Sequence, residues 1–221
     1  MIVFGYSFEE SPIAFVEGAV FSLRFCDWNL VGKEDKVVIF GVEHNGDNTF
    51  SLDNIANICE RAGSVIFISS SSVYSTKLLF SHKEDDVFTS SGNKIEGVVN
   101  EVLEEIVITT TLDNNNRSCI LRVDTIEDFA LLDLIEKKAD RGLYGSVFNR
   151  ISVITLPTLF SIIEKIFSDI ELHNCKAYNI AEKNTSEYSY YSSLSPLPVG
   201  HKIKFGNSAL NTTRARKAGL L

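Results

Sequence analysis

Short apolar runs alternate along the chain with longer stretches of helical period. Residues 2–4 form an apolar run that ends at Gly5, and residues 19–25 are a second strand candidate. Residues 36–42 are apolar almost without interruption, as expected of a strand covered on both faces. Leu52, Ile55, Ala56 and Cys59 then recur at helical spacing up to Gly63, a plausible helix stop. Residues 64–69 read as another buried strand running into a serine cluster. Ile95, Val98, Val99, Val102, Leu103 and Ile106 form a long helical stripe, and residues 119–123 return to a strand. Further on, 151–156 predicts a strand, 159–167 a helix and 177–181 a short strand. The Ser-, Tyr- and Pro-rich stretch 186–198 reads as a surface loop, and Asp47-Asn48 and Asn115-Asn116 as turns.

Strands separated by helices in this order predict a parallel sheet with right-handed crossovers. The fold class expected is α/β, a shortened, Rossmann-like, doubly wound sheet. Residues 1–140 would form the core. Residues 141–221 would add a late core strand and a small cap over the sheet's carboxyl edge, integrated with the core into one domain.

Composition narrows the function. The 221 residues are 44% hydrophobic and 23% charged, an ordinary soluble balance. A chain of that length buries roughly 70% of the surface it would expose unfolded, so disulfide staples are not needed. A net charge of -8 argues against a nucleic-acid partner, which calls for clustered Lys and Arg. Only Arg214 to Lys217 forms a basic run, read as a solvated tail. Cys26, Cys59, Cys119 and Cys175 are widely spaced in apolar contexts and read as reduced core thiols. His44, His82, His173 and His201 are scattered, so no metal is expected. No apolar run reaches the roughly 18 residues that span a bilayer, and the chain opens with Met-Ile-Val-Phe-Gly and no basic leader. The expected setting is soluble and cytoplasmic, with no membrane.

The sharpest local signal is Val65-Ile-Phe-Ile-Ser-Ser-Ser-Ser-Val-Tyr74: a buried strand with hydroxyls at its carboxyl end, where open α/β sheets hold ligands. This segment resembles the serine motif of nucleotide-sugar epimerases and dehydratases, an extended branch of the short-chain dehydrogenase/reductase family. In the same order, Asp35-Lys-Val-Val-Ile-Phe-Gly41 resembles the strand before the family's cofactor loop. Asn93-Lys-Ile-Glu-Gly97 resembles the lysine-bearing start of its catalytic helix. Ile120-Leu-Arg122 and Lys176-Ala-Tyr-Asn-Ile180 resemble its next strands. The resemblance covers about residues 35 to 182. It implies NAD or NADP as cofactor, with Gly5 and Gly41 against it, and a nucleotide sugar as ligand. The catalytic positions would fall on Ser70 and Lys94, with Tyr74 either a pocket wall or a substitute acid followed by Lys77. It further implies a homodimer through the helices around Leu52 to Ala62 and Ile95 to Ile106, in the setting of surface-polysaccharide precursors.

Two departures bear on chemistry. The family's acid/base tyrosine stands four residues before the lysine, on the same helix face, where the ammonium lowers its pKa. That position is Ser90, far too weak an acid. The family's G-x-x-G-x-x-G loop reads Gly5-Tyr-Ser-Phe8-Glu-Glu-Ser11. Phe8 is bulky where backbone should meet phosphate, and Glu9 and Glu10 repel a pyrophosphate at the following helix start. The stretch between Phe25 and Asp35 is also too short for a full strand–helix–strand set, so the sheet is expected to lack an element on its adenine side. Asp27 is either a ribose-contacting acid or a loop aspartate. Three readings follow: an enzyme-like protein whose NAD-dependent catalysis is impaired or absent, a non-catalytic sugar-nucleotide-binding or assembly module of the same fold, or an α/β domain whose resemblance is only architectural.

Overall fold

The computed structural model describes residues 1–5, 19–22, 31–41, 52–74, 81–86, 95–127, 129–139 and 142–221. The core follows the apolar runs in order: β1 (Ile2–Gly5), β2 (Ala19–Ser22), β3 (Lys36–Phe40), α1 (Leu52–Arg61), β4 (Ser64–Ser70), α2 (Ile95–Asp113) and β5 (Arg117–Val123). A second set follows: β6 (Thr125–Glu127), α3 (Phe129–Ala139), β7 (Tyr144–Gly145), β8 (Asn149–Thr155), α4 (Leu156–Ser168), α5 (Ile170–His173) and β9 (Lys176–Asn179). The chain ends with β10 (Lys183–Ser186), α6 (Glu187–Leu194), β11 (Gly200–His201), β12 (Gly206–Asn207) and α7 (Thr213–Lys217).

Six strands make one sheet in the order β2-β1-β3-β4-β5-β9, every neighbouring pair parallel. Alternate residues explain the unbroken apolar runs. Val37, Ile39, Val65 and Phe67 turn to the face covered by α1 and α2, where they meet Ile55, Ile58, Leu103 and Val107. Val38, Phe40, Ile66 and Ile68 turn to the other face, against Leu159, Ile162, Ile163 and Ile166 of α4. With both faces covered, a strand has no use for polar alternation. The result is the α/β, Rossmann-like layering expected from the sequence.

On one side of β1 the described sheet continues to β2, and beyond β3 on the other side it continues to β4, β5 and β9. The order reverses between β1 and β3, which makes that gap the topological switch point, where open α/β sheets hold ligands. The six-stranded Rossmann order carries three strands on the side where the described sheet has β1 and β2.

Local chemistry ends the elements where the sequence indicates. The polypeptide leaves α2 through Asn115 at φ 55, with Asn116 N donating to Thr111 O at 2.8 Å. The buried Asn116 amide then donates to Cys59 O (2.8 Å) and Glu60 O (3.1 Å) and accepts from Lys33 Nζ (2.8 Å). One side chain thus joins the ends of α1 and α2 to the approach to β3. At Gly63 a Cβ would overlap the Lys33 carbonyl, so only glycine lets the two backbones meet there.

Beyond the core, β8 pairs with β10 antiparallel and with β6 and β12 parallel, forming a small second sheet. Its core gathers Ile135, Leu143, Ile151, Val153, Tyr190 and Val199. The stretch read as a loop at 186–198 differs: residues 187–194 form α6. Ser186 caps it by accepting from Ser189 N at 3.1 Å, and buried Tyr190 anchors it through a 3.0 Å hydrogen bond from its hydroxyl to Glu127. Cys59 and Cys119 are buried, burial pushing the Cys59 thiol up to about 12, whereas Cys175 is half-buried at φ 56. Cys26 and the Asp47-Asn48 turn lie outside the described residues. Among the described residues no helix is long and apolar enough to cross a membrane, and no group of side chains suits a metal ion.

Candidate functional site

The carboxyl ends of β4 and β5 lie side by side, Ser69 opposite Arg122 and Ser70 opposite Val123. There β4 runs into a single 3-10 turn over residues 71–73, and the serine cluster supplies its hydrogen bonds. Ser70 Oγ accepts from Ser72 N at 3.1 Å, and Ser72 Oγ accepts from Asn100 Nδ2 of α2 at 3.3 Å. Ser71 Oγ donates to Asp124 Oδ1 at 2.8 Å. The Ser69 hydroxyl, fully buried, has no hydrogen-bond partner among the described residues.

Asp124, just past β5, joins the core to the smaller sheet. Its Oδ2 accepts from Ser152 N of β8 (2.8 Å) and from Ser208 Oγ (2.7 Å). Burial pushes its carboxyl above the usual carboxylate range, against the pull of these three donors.

Tyr74 closes the turn from within. It is 2% exposed and donates through its hydroxyl to Asn179 Oδ1 at 2.8 Å, while Arg122 Nη1 donates to it at 2.7 Å. Arg122 is itself buried and forks onto Glu104 of α2 through Nε and Nη2, at 2.7 to 3.2 Å. Two parallel charge-assisted bonds make this the strongest type of side-chain pairing. Burial opposes the guanidinium charge, but Glu104 outweighs it and holds the Arg122 pKa raised. Burial likewise pushes the Tyr74 phenol up to about 12, despite Arg122 beside it. His82 stacks flat on Tyr74 at 4.8 Å between centroids, and its Nε2 meets the Asn207 carbonyl at 3.0 Å, so Nε2 carries the proton.

The structure therefore brings Ser70 and Tyr74 to one sheet edge but gives each an internal partner. Lys94 and Ser90 lie outside the described residues, as do Lys77, Asp27 and the segment Phe8, Glu9, Glu10 and Ser11. Gly5 ends β1, and Gly41 follows β3 with its N–H donating to Ile68 O at 2.9 Å, so both flank the switch point. A Cβ on Gly41 would collide with the Phe67 ring. Packing against Phe67 thus suffices to call for a glycine at this position.

Arg122, Glu104, Asn179 and Asp124 were not picked out by sequence reasoning. The signal was present for Arg122, since a charge inside the apolar strand Cys119-Ile-Leu-Arg122-Val must find a buried partner. Glu104, on the inner face of an otherwise apolar helical stripe, is the matching signal.

No family model and no curated protein matches the chain. Solved structures match it over nearly its whole length. The UDP-glucuronic acid 4-epimerase from Bacillus cereus, in complex with NAD, is 14% identical over 98% of this chain and 82% of its own, with a TM-score of 0.73. A dTDP-4-dehydrorhamnose reductase from Clostridium acetobutylicum is 10% identical over 99% of this chain and 93% of its own, at 0.72. The dTDP-glucose 4,6-dehydratase from Streptomyces venezuelae, with NAD bound, is 13% identical over 93% of this chain and 74% of its own, at 0.70. Identities this low speak for the backbone alone. The chain has the fold of the extended short-chain dehydrogenases/reductases, the fold of nucleotide-sugar reductases, dehydratases and epimerases.

Proposed function

We propose that this protein is a nucleotide-sugar epimerase/dehydratase-like relative that has given up NAD-dependent hydride chemistry. It would serve polysaccharide-precursor metabolism in the cytoplasm as a sugar-nucleotide-binding or assembly module. The observation that carries this reading is the state of Tyr74. The phenol beside the serine cluster is buried, bonded on both sides and raised to about 12. A general acid works best with a pKa near the operating pH, so Tyr74 acts as a strut that positions Arg122 and Asn179. Ser70 is occupied as the cap of the 3-10 turn, and by resemblance the tyrosine position falls on Ser90. Phe8, Glu9 and Glu10 tell against a pyrophosphate by size and charge. Two of the solved structures named above hold NAD, which makes the cofactor the first ligand to test. Buried, unreactive Cys59 and Cys119 suit a reducing compartment.

The assembly side of the reading has its own support. Leu52 of α1 and Val98, Val102 and Leu112 of α2 are exposed apolar residues on the helices expected to pair two chains.

The test is a thermal-shift titration with NAD(H), NADP(H) and UDP-, dTDP-, GDP- and CDP-sugars, followed by turnover assays with the same panel. A ligand at 100 times its Kd stabilises by about 2.7 kcal/mol, an easily seen shift. The expected outcome is a shift with a nucleotide sugar, none with the dinucleotides, and no turnover. Turnover of about 1 per second or more, the ordinary enzyme range, lost in Ser70→Ala or Lys94→Ala, would overturn the reading.

A further inference from the structure

Apolar side chains gather at one end of the small sheet and stand clear of it. Ile203 is 84% exposed, Phe205 76% and Phe148 53%. Gly206 pairs with Asn149, so the residues before them fall side by side, and the rings of Phe148 and Phe205 stack at 5.0 Å between centroids. Buried Ser146 holds this tip in place: its hydroxyl donates to Lys204 O at 2.7 Å and accepts from Phe148 N at 3.1 Å. Lys202 N donates to Gly145 O at 3.0 Å, so the backbone is fixed on both sides of Ile203. Side chains held ready in this way lose little freedom on contact.

The charge around the tip is opposite to that of the chain. Residues 142–150 and 195–206 contain Arg150, His201, Lys202 and Lys204 and no carboxylate, in a chain of net charge -8. Lys202 is engaged with the buried Glu187 at 2.8 Å. Arg150 and Lys204 are exposed, and neither has a carboxylate partner among the described residues. Arg150 lies two positions beyond Phe148, which puts both on one side of the strand.

We propose that the Phe148–Ile203–Phe205 tip and its cations seat this protein on the surface of an anionic lipid bilayer, with the apolar side chains in the headgroup layer. Size favours lipid over a protein partner. A stable protein interface uses roughly 20–30 residues a side, whereas the tip is a handful of side chains that line no groove. A bilayer surface asks for less: apolar groups reaching roughly 5–10 Å into the interface, with cations at the level of the headgroups. The sign of the charge selects the lipid, since the acidic remainder of the chain is repelled by an anionic membrane and only this end is drawn to it. The sequence expectation of no membrane rests on the lack of a spanning segment, and a surface contact needs none. The contact uses neither α1 nor α2, so it is compatible with chains paired through those helices. It does not depend on whether a sugar nucleotide binds.

The experiment is flotation of the full chain with vesicles of phosphatidylcholine alone, or of phosphatidylcholine mixed with an equal part of phosphatidylglycerol. The wild type is expected to float with the mixed vesicles, to stay behind with phosphatidylcholine alone and to be released by high salt. Two variants at exposed positions, Ile203→Ser/Phe205→Ser and Arg150→Gln/Lys204→Gln, are checked for folding by circular dichroism and thermal melting. The first is expected to lose flotation, and the second to bind more weakly by about fivefold for each cation removed. Phe205→Trp is expected to shift its emission to the blue on the mixed vesicles beyond any shift of the wild type. Wild type that does not float with the mixed vesicles overturns the proposal, as does equal flotation with phosphatidylcholine alone. Flotation that survives Ile203→Ser/Phe205→Ser also overturns it, by placing the contact elsewhere, and an unshifted Phe205→Trp emission overturns the insertion. Oligomers lost in Ile203→Ser/Phe205→Ser, with no vesicle binding by the wild type, would mark the tip as a protein contact instead. None of these results bears on the titration with nucleotide sugars, so the two ideas fail separately.

Discussion

Arg122 Nη1 stands 2.7 Å from the Tyr74 hydroxyl oxygen, so the phenol accepts a charged donor while handing its own proton to Asn179. Through this contact the residue that closes the turn after β4, a strand residue of β5 and the last residue of β9 share one hydrogen-bond network.

Tyr74 should make the protein lose stability in alkali. Its folded pKa is raised to about 12 from 10, mainly by burial. Above pH 10 the unfolded chain releases this proton while the folded chain retains it. The stabilisation is therefore complete below pH 10 and is lost as pH rises toward 12, at up to about 1.4 kcal/mol per pH unit. Urea denaturation between pH 9 and 12 should show a steeper decline in the wild type than in Tyr74→Phe, which keeps the buried, raised thiol of Cys59. A parallel decline in both would show that Tyr74 titrates normally.

Truncating one member of the buried ion pair should be severe. Glu104→Ala leaves the Arg122 charge buried without its carboxylate, an effect of about 3–5 kcal/mol. Glu104→Leu combined with Arg122→Met should regain most of that loss, as read from denaturant midpoints. Equal stability of the single and double variants would show the pair to be dispensable.

Gly63→Ala would press a methyl group onto the Lys33 carbonyl, a backbone atom that cannot turn aside. A loss of about 1–3 kcal/mol is expected, the range for overpacking, measurable as a lower melting temperature. An unchanged melting temperature would mean that the 31–35 segment can move away freely.

Ser69→Ala should leave stability unchanged or raise it by about 1 kcal/mol, because a buried hydroxyl without a partner is a liability that alanine removes. If a sugar nucleotide binds at this edge and Ser69 meets it, the same variant should weaken the ligand-induced melting shift. Unaltered binding alongside raised stability would place the hydroxyl outside the ligand's reach.

The sheet was legible because both its faces are buried, so β3, β4 and β5 stand out as apolar runs that no loop would carry. Helix α6 was not. Glu187-Tyr-Ser-Tyr-Tyr-Ser-Ser-Leu has no apolar period, and its helix rests on Tyr190 entering the small core and reaching Glu127, 63 positions back. The serine cluster announced a ligand edge, yet hydroxyls serve equally as caps, and Ser70 and Ser71 proved to have partners. The Tyr74–Asn179 pair spans 105 positions and has no spacing to betray it. Gly41 was read as a cofactor position, and the Phe67 ring on the neighbouring strand is a second reason for glycine there.

Ala215 and Leu220 pack in the same cluster as Val3, Val38 and Ile66, and Lys165 Nζ reaches the Leu220 carbonyl at 3.5 Å. During synthesis α4 can cover most of this face, but the share held by Ala215 and Leu220 stays open until those residues have emerged. Until then the cluster lacks two of its members, and apolar surface left uncovered in a nascent chain recruits chaperones and seeds aggregation. Residues 215–220 thus act as a closing stitch: a chain truncated before them would hold its sheet and α4 but leave that part of the seal unmade.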